Sequence, residues 1–149
     1  MNMNLSACAI ISGNSSHPSL KGRAYFYTSS TPGVFIEIEV SGLPDNNSIN
    51  SNFYGLHIHE IGNCTPPFDK TGAHYNPHAQ PHPYHAGDLP PLLGNSGYAY
   101  MFFYTNRFNI EEIIGKSVII HSKPDDFTSQ PSGNSGDKIG CGVIKRCEK

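Results

Sequence analysis

Eight histidines in a chain of 149 residues raise a question of spacing. His57 and His59 stand two apart in Phe53-Tyr54-Gly55-Leu56-His57-Ile58-His59-Glu60. Aromatic and β-branched residues at period two read as a β-strand from Phe53 to Glu60. Both imidazoles then point to one face, and Leu56 and Ile58 to the other. Two residues of strand advance about 6.6 Å, so imidazoles at i and i+2 can converge on one ion. His121, at the end of the run Ser117-Val118-Ile119-Ile120, supplies a third imidazole. Imidazole suits copper, zinc, iron or nickel, so ligand type alone does not name this metal. A second set is His82, His85 and Asp88, each three residues apart, with His74 just upstream. Three imidazoles and one carboxylate suit four-coordinate zinc, and a closed set of protein ligands points to a structural ion. His78 has no such spacing and His17 lies in a turn, so both read as solvated.

The elements that must position these groups are short. Residues 3–12, 22–28, 34–40, 98–105, 117–121 and 139–145 read as strands beside the His57–His59 strand. Val34, Ile36, Ile38 and Val40 alternate with Phe35, Glu37 and Glu39, which marks a strand with one buried face. Cys8 lies in the first strand and is expected to be a buried free thiol. Residues 109–114 read as a single helical turn. Two stretches carry no periodicity: Ile61–Leu93, with seven of the twelve prolines, and Lys123–Gly136. Structureless stretches this long inside a compact domain are commonly functional. In the first of them a metal would supply the order that a hydrogen-bond ladder does not. Short strands with almost no helix imply an all-β fold, a Greek-key barrel or sandwich of about eight antiparallel strands with two long functional loops. With no internal repeat and no linker, residues 1–149 read as one domain.

Composition excludes several classes. A formal net charge of -2 gives no electrostatic footprint for nucleic acid. No apolar run approaches the roughly 20 residues of a membrane span. Met1–Leu5 has neither a basic segment nor an apolar stretch, so it carries no secretory signal, and a trimmed mature protein would look the same; the expected compartment is the cytoplasm. Four cysteines, Cys8, Cys64, Cys141 and Cys147, allow three fully paired connectivities, and spacing chooses none.

Five motifs carry a resemblance: Gly55-Leu56-His57-Ile58-His59-Glu60-Ile61-Gly62, Gly72-Ala73-His74-Tyr75-Asn76-Pro77, His85-Ala86-Gly87-Asp88-Leu89, Gly115-Lys116-Ser117-Val118-Ile119-Ile120-His121 and Gly133–Ile144. In this order, across nearly the whole chain, they resemble the copper/zinc superoxide dismutases. The resemblance implies superoxide disproportionation, with copper on His57, His59, His74 and His121 and zinc on His74, His82, His85 and Asp88. His74 would bridge the two ions. Asp125 matches the family's carboxylate that hydrogen-bonds one ligand of each metal. Cys64 and Cys141 match its intrasubunit disulfide, which leaves Cys8 and Cys147 free. The resemblance further implies a homodimer, with Ile61-Gly62, Ile114-Gly115 and Val143-Ile144 at contact positions, and a copper chaperone as partner.

Two departures stand out. Only two residues separate His82 from His85, where many members have several more. Lys138 occupies the position of the family's arginine beside copper. The loop from Asp125 to Lys138 contains no glutamate and no other lysine. The positive charge survives, but the planar two-pronged donor does not. These departures keep a second reading open, a non-catalytic relative that binds zinc or copper.

Overall fold

Alternation dictates the sheet. In the computed structural model, which describes residues 1–147, the period-two pattern becomes β1 (Asn4–Gly13), β2 (Lys21–Thr28) and β3 (Val34–Ser41). Ala7, Ala9, Ile11, Ala24, Phe26, Val34, Ile36, Ile38 and Val40 all point inward. Cys8 falls on the outward register of β1 and is half-buried instead of in the core. The remaining strands are β4 (Phe53–Tyr54), β5 (Leu56–His59), β6 (Leu92–Leu93), β7 (Ala99–Thr105), β8 (Ser117–His121), β9 (Lys138–Val143) and β10 (Lys145–Arg146). A one-turn helix, α1 (Ile110–Ile113), is held by an Asn109 capping box with Glu112.

Eight strands form one curled antiparallel sheet in the order β5-β8-β9-β1-β2-β3-β7, with β10 paired to β1; β4 and β6 pair separately. The non-consecutive neighbours are the crossovers of the expected all-β Greek-key arrangement. A continuous apolar core runs from Ile36 and Ile38 to Leu56, Ile58, Val118, Ile120 and Ile139. Full burial of one such side chain is worth about 1.5–3 kcal/mol. Leu56 and Ile58 thus anchor β5 from within while His57 and His59 leave from its other face. Among the described residues no helix is long and apolar enough to cross a membrane.

Three further expectations need correction. The run Phe53–Glu60 is not one strand, because the chain breaks at Gly55. Gly55 N–H donates to Lys123 C=O at 2.8 Å, and its own C=O accepts from His121 N–H at 2.8 Å. A Cβ at this position would meet the Ser135 side chain at 2.9 Å. The last strand is also split. Ile144 leaves the ladder to exchange backbone hydrogen bonds with Gly115 and Lys116.

The third correction concerns Ile61–Leu93, which is ordered by backbone as well as side chains. β5 is a sheet edge, and this loop folds back along it. Ile58 N–H donates to Gly87 C=O, Tyr75 N–H to Ile58 C=O, Glu60 N–H to Ala73 C=O and Leu89 N–H to Leu56 C=O. The loop satisfies the edge and is fixed by it.

Cys64 and Cys141 form a disulfide with a Cα–Cα distance of 5.6 Å, packed with Phe68 and Ile119. It ties the start of the loop to β9 across 77 residues. Closing a loop of that length contributes about 4.5 kcal/mol on the chain-entropy account. Reduction, or Cys64→Ser, should lower the melting temperature by roughly 10 °C. Calorimetry with and without a reductant checks this; an unchanged transition would show that the loop is held by other contacts.

Candidate metal centre

The two ligand sets come together as spacing suggested. One group is His57, His59, His74 and His121; the other is His74, His82, His85 and Asp88. Within each group the offered ligand atoms lie within 4.8 Å of one another. β5 delivers His57 and His59. The end of β8 delivers His121, re-aimed by a register shift between Ile120 and His121. Loop backbone bridged to β5, with His59 opposite His74 and His57 opposite Asp88, delivers His74 and Asp88. His74 belongs to both groups, which spacing alone left open. His78 is exposed and takes no part.

Hydrogen bonds select which nitrogen faces inward. His57 Nε2 donates to Asp125 Oδ2 at 2.7 Å, and His82 Nε2 donates to Asp125 Oδ1 at 2.8 Å. His59 Nδ1 donates to Gly72 C=O at 2.9 Å and His121 Nδ1 to Gly136 C=O at 3.3 Å. A neutral imidazole that donates from one nitrogen presents a lone pair on the other. Those lone pairs converge. His57 Nδ1, His74 Nε2 and His82 Nδ1 are buried without any hydrogen-bond partner. His59 Nε2 and His121 Nε2 face each other at 3.3 Å. His74 Nδ1 lies 2.8 Å from Asp88 Oδ1 and 3.3 Å from His85 Nδ1. A buried unsatisfied polar atom costs about 1–3 kcal/mol, so lone pairs are not gathered this way without a use. Both clusters fit an ion. The first is all imidazole, and the second is three imidazoles with a carboxylate, so the chain could bind copper and zinc.

Asp125 is the link between the groups. Burial opposes its ionisation, but hydrogen bonds from His57, His82 and Phe127 N–H outweigh this and hold the carboxyl well below the usual range. Gly133 makes room for it. Its φ is +73°, and a Cβ there would fall 2.0 Å from Asp125 Oδ1. Lys138 is half-buried and lines a cavity of about 530 Å³ together with His59, His74 and His121. Its Nζ donates to Thr71 Oγ1 at 2.9 Å and to Gly72 C=O at 3.1 Å. That carbonyl also receives His59, so Lys138 touches the support of a candidate ligand.

Two residues were not legible as functional. Gln130 clamps the His82 backbone from the opposite loop: His82 N–H donates to Gln130 Oε1 at 2.9 Å, and Gln130 Nε2 donates to His82 C=O at 2.8 Å. Arg107 Nη1 donates to Pro83 C=O at 2.8 Å and His85 C=O at 3.1 Å. Neither lies in a motif or at a ligand spacing. Together they brace the short segment between His82 and His85.

Two outcomes follow. Gln130→Ala should weaken zinc retention about tenfold in a chelator competition, the size usual for a group that orients a ligand, with the fold unchanged. Equal retention would remove Gln130 from the support of His82. The second outcome is acid sensitivity of the metal-free protein. Burial pushes His57 down to about 4 and His59 down to about 2, and lowers His121 as well. In the unfolded chain a histidine titrates near about 6.5. Below pH 6.5 and down to about 4 the unfolded state therefore binds more protons, and stability falls as pH falls. Melting temperatures of metal-free protein should decline across this window, and a flat profile would contradict it.

A sequence model described as copper/zinc superoxide dismutase matches residues 20–144. A copper/zinc superoxide dismutase of Deinococcus radiodurans is 35% identical over 141 residues, covering 80% of this chain and 74% of its own. One from Arabidopsis thaliana is 31% identical over 157 residues, covering 95% and 90%. Among solved structures, the clock protein EA4 superposes with a TM-score of 0.82 at 26% identity, covering 99% of this chain and 98% of its own. A double mutant of a SOD-like protein from Bacillus subtilis gives 0.79 at 29% identity, covering 93% and 96%. With a family match over most of its length, the chain belongs to the copper/zinc superoxide dismutase family.

Proposed function

We propose that this protein disproportionates superoxide to dioxygen and hydrogen peroxide, with copper on His57, His59, His74 and His121 and zinc on His74, His82, His85 and Asp88. The observation that carries the reading is the shared ring of His74, with Nδ1 on one ligand set and a buried, unpartnered Nε2 on the other. Copper, when bound, supplies the one-electron couple that oxidises one superoxide and reduces the next. The chain supplies the rest. His57, His59 and His121 are held at fixed tautomers by Asp125, Gly72 and Gly136. His74 Nε2 is the atom placed to take up a proton and hand it to the departing peroxide. Asp88 and His85 keep the His74 ring in place from the Nδ1 side. Lys138 has three N–H groups, two of them spent on Thr71 and Gly72. The third remains for a small anion in the cavity.

A homodimer, a copper chaperone and a cytoplasmic site of action belong to the same proposal. For the dimer, the segments at Gly62, Gly115 and Ile144 converge, and Ile61 is exposed beside them. Ile144 itself is core. The second reading, a metal binder without turnover, is favoured by the SOD-like protein and the clock protein among the similar structures. Metal content and superoxide removal of the reconstituted protein, measured together, separate the two. Full copper with no turnover would establish the second. His85→Ala should lower zinc content and keep turnover, whereas His74→Ala should disturb both metals. Full zinc in His85→Ala would take His85 out of the site.

Lys138 gives the sharpest kinetic outcome. Field focusing in a cleft raises on-rates by about 10–10³-fold, and this family is a known instance. Because Lys138 is, among the described residues, the one lysine or arginine lining the cavity, Lys138→Glu should cut the second-order rate at least about tenfold and reverse its salt dependence. Lys138→Arg should keep or modestly raise the rate, since an aligned pair of donors holds an anion where a point charge only attracts it. Identical rates and salt slopes in wild type, Lys138→Ala and Lys138→Glu would rule out steering.

A further inference from the structure

Cys8 and Cys147 lie outside the Cys64–Cys141 bond, and both are half-buried. β10 runs antiparallel to β1 with Ala7 opposite Arg146 and Cys8 opposite Lys145. Opposed residues share a face, and faces alternate along each strand. Cys8, Lys145 and Cys147 therefore stand on one outer face, with Cys147 diagonal to Cys8. Burial, and after it a hydrogen bond with Cys8, push the Cys147 thiol up to about 12.

Two more features bear on what the pair can do. Cys147 follows Arg146, the end of β10, so its backbone stands outside the strand ladder. Cys8 also lines an open groove of about 480 Å³ with Ile10, Pro66, Phe68 and the bonded pair Cys64 and Cys141, so the groove borders both cysteine pairs. On β1 the neighbouring inward positions are filled by Ala7 and Ala9, so rotation of the Cys8 side chain does not disturb the core.

We infer that Cys8 and Cys147 form a second, reversible disulfide, a redox latch that fastens the last strand of the chain to the first. The oxidant is a small disulfide such as glutathione disulfide. Cys8 gives its proton to solvent as its sulfur attacks one glutathione sulfur; the glutathione S–S bond breaks, a mixed disulfide forms, and one glutathione leaves as a thiolate that takes up a proton from solvent. The Cys147 sulfur, losing its proton to solvent or the leaving thiolate, then attacks Cys8. The protein disulfide forms as the second glutathione leaves. Two protein thiols are oxidised by two electrons, and one glutathione disulfide becomes two glutathiones. A dithiol reverses the exchange. The latch does not involve the metals and stands apart from the proposed turnover. It adds to the Arg146–Glu111 ion pair, which already ties β10 to α1.

The test uses the full metal-loaded chain equilibrated in glutathione buffers of graded ratio, then acid-quenched, alkylated and mapped without reduction. The expected result is concerted loss of both free thiols and a linked Cys8–Cys147 peptide beside an intact Cys64–Cys141 peptide. Carboxypeptidase release of the chain end should slow at least about tenfold in the linked form, and a dithiol should restore it. Cys8→Ser and Cys147→Ser should each abolish the link and the slowing. Stable glutathione adducts without a link, a link between two molecules, or two thiols that stay alkylatable at every ratio would each overturn the proposal.

Discussion

One carboxylate holds the centre together. Each oxygen of Asp125 takes one imidazole, His57 from the first ligand set and His82 from the second. The two rings arrive from unrelated places, an edge strand and a proline-rich loop 25 residues further on. Something must fix each ring toward the other. Asp125 does so because it is buried and its charge is matched by three donors. The rest of the molecule can be read as what this requires. Gly133 must lack a side chain to let Asp125 sit there. Gln130, from the same loop, must hold the backbone of His82 while Asp125 holds its ring.

The sheet contributes the other half of the geometry. β5 is an edge strand with a buried apolar face, and its outer face carries two imidazoles. An edge is normally a liability, with unpaired N–H and C=O groups open to another chain. Here those groups bind the ligand-bearing loop, so one set of hydrogen bonds protects the edge and positions His74 and Asp88. The disulfide acts at the start of that same loop. It keeps the segment leading to Gly72 against β9, and Gly72 is the acceptor for both His59 and Lys138.

Much of this was legible in the residues. The His57-Ile58-His59 alternation fixes which faces are metal and core, and the three-residue steps from His82 to Asp88 mark a loop site. The double role of His74, the place of Asp125 and the Cys64–Cys141 pairing came from the resemblance, because spacing carries no record of which loop folds over which strand. Gln130 and Arg107 were invisible for the same reason. Each works by a side-chain bond to a distant backbone, a contact that any polar residue could make at any sequence offset. The break at Gly55 was missed because period two continues through it. The glycine is required by a neighbour, Ser135, that lies 80 residues later.

The lone pairs of His57, His74 and His82 also say something about energy. Left without partners in the metal-free chain, each costs about 1–3 kcal/mol. Burial disfavours the charged form of His57, His59 and His121 still further. The metal-free fold is therefore held by elements that do not depend on the centre: the core of β1–β3 and β7, the disulfide, and the loop bonds along β5. An ion entering either cluster removes the penalty, so part of its binding free energy appears as stability of the fold. The two clusters share His74, so filling one orients the ring for the other. Folding, first-ion binding and second-ion binding are in this way three readings of one set of imidazole lone pairs.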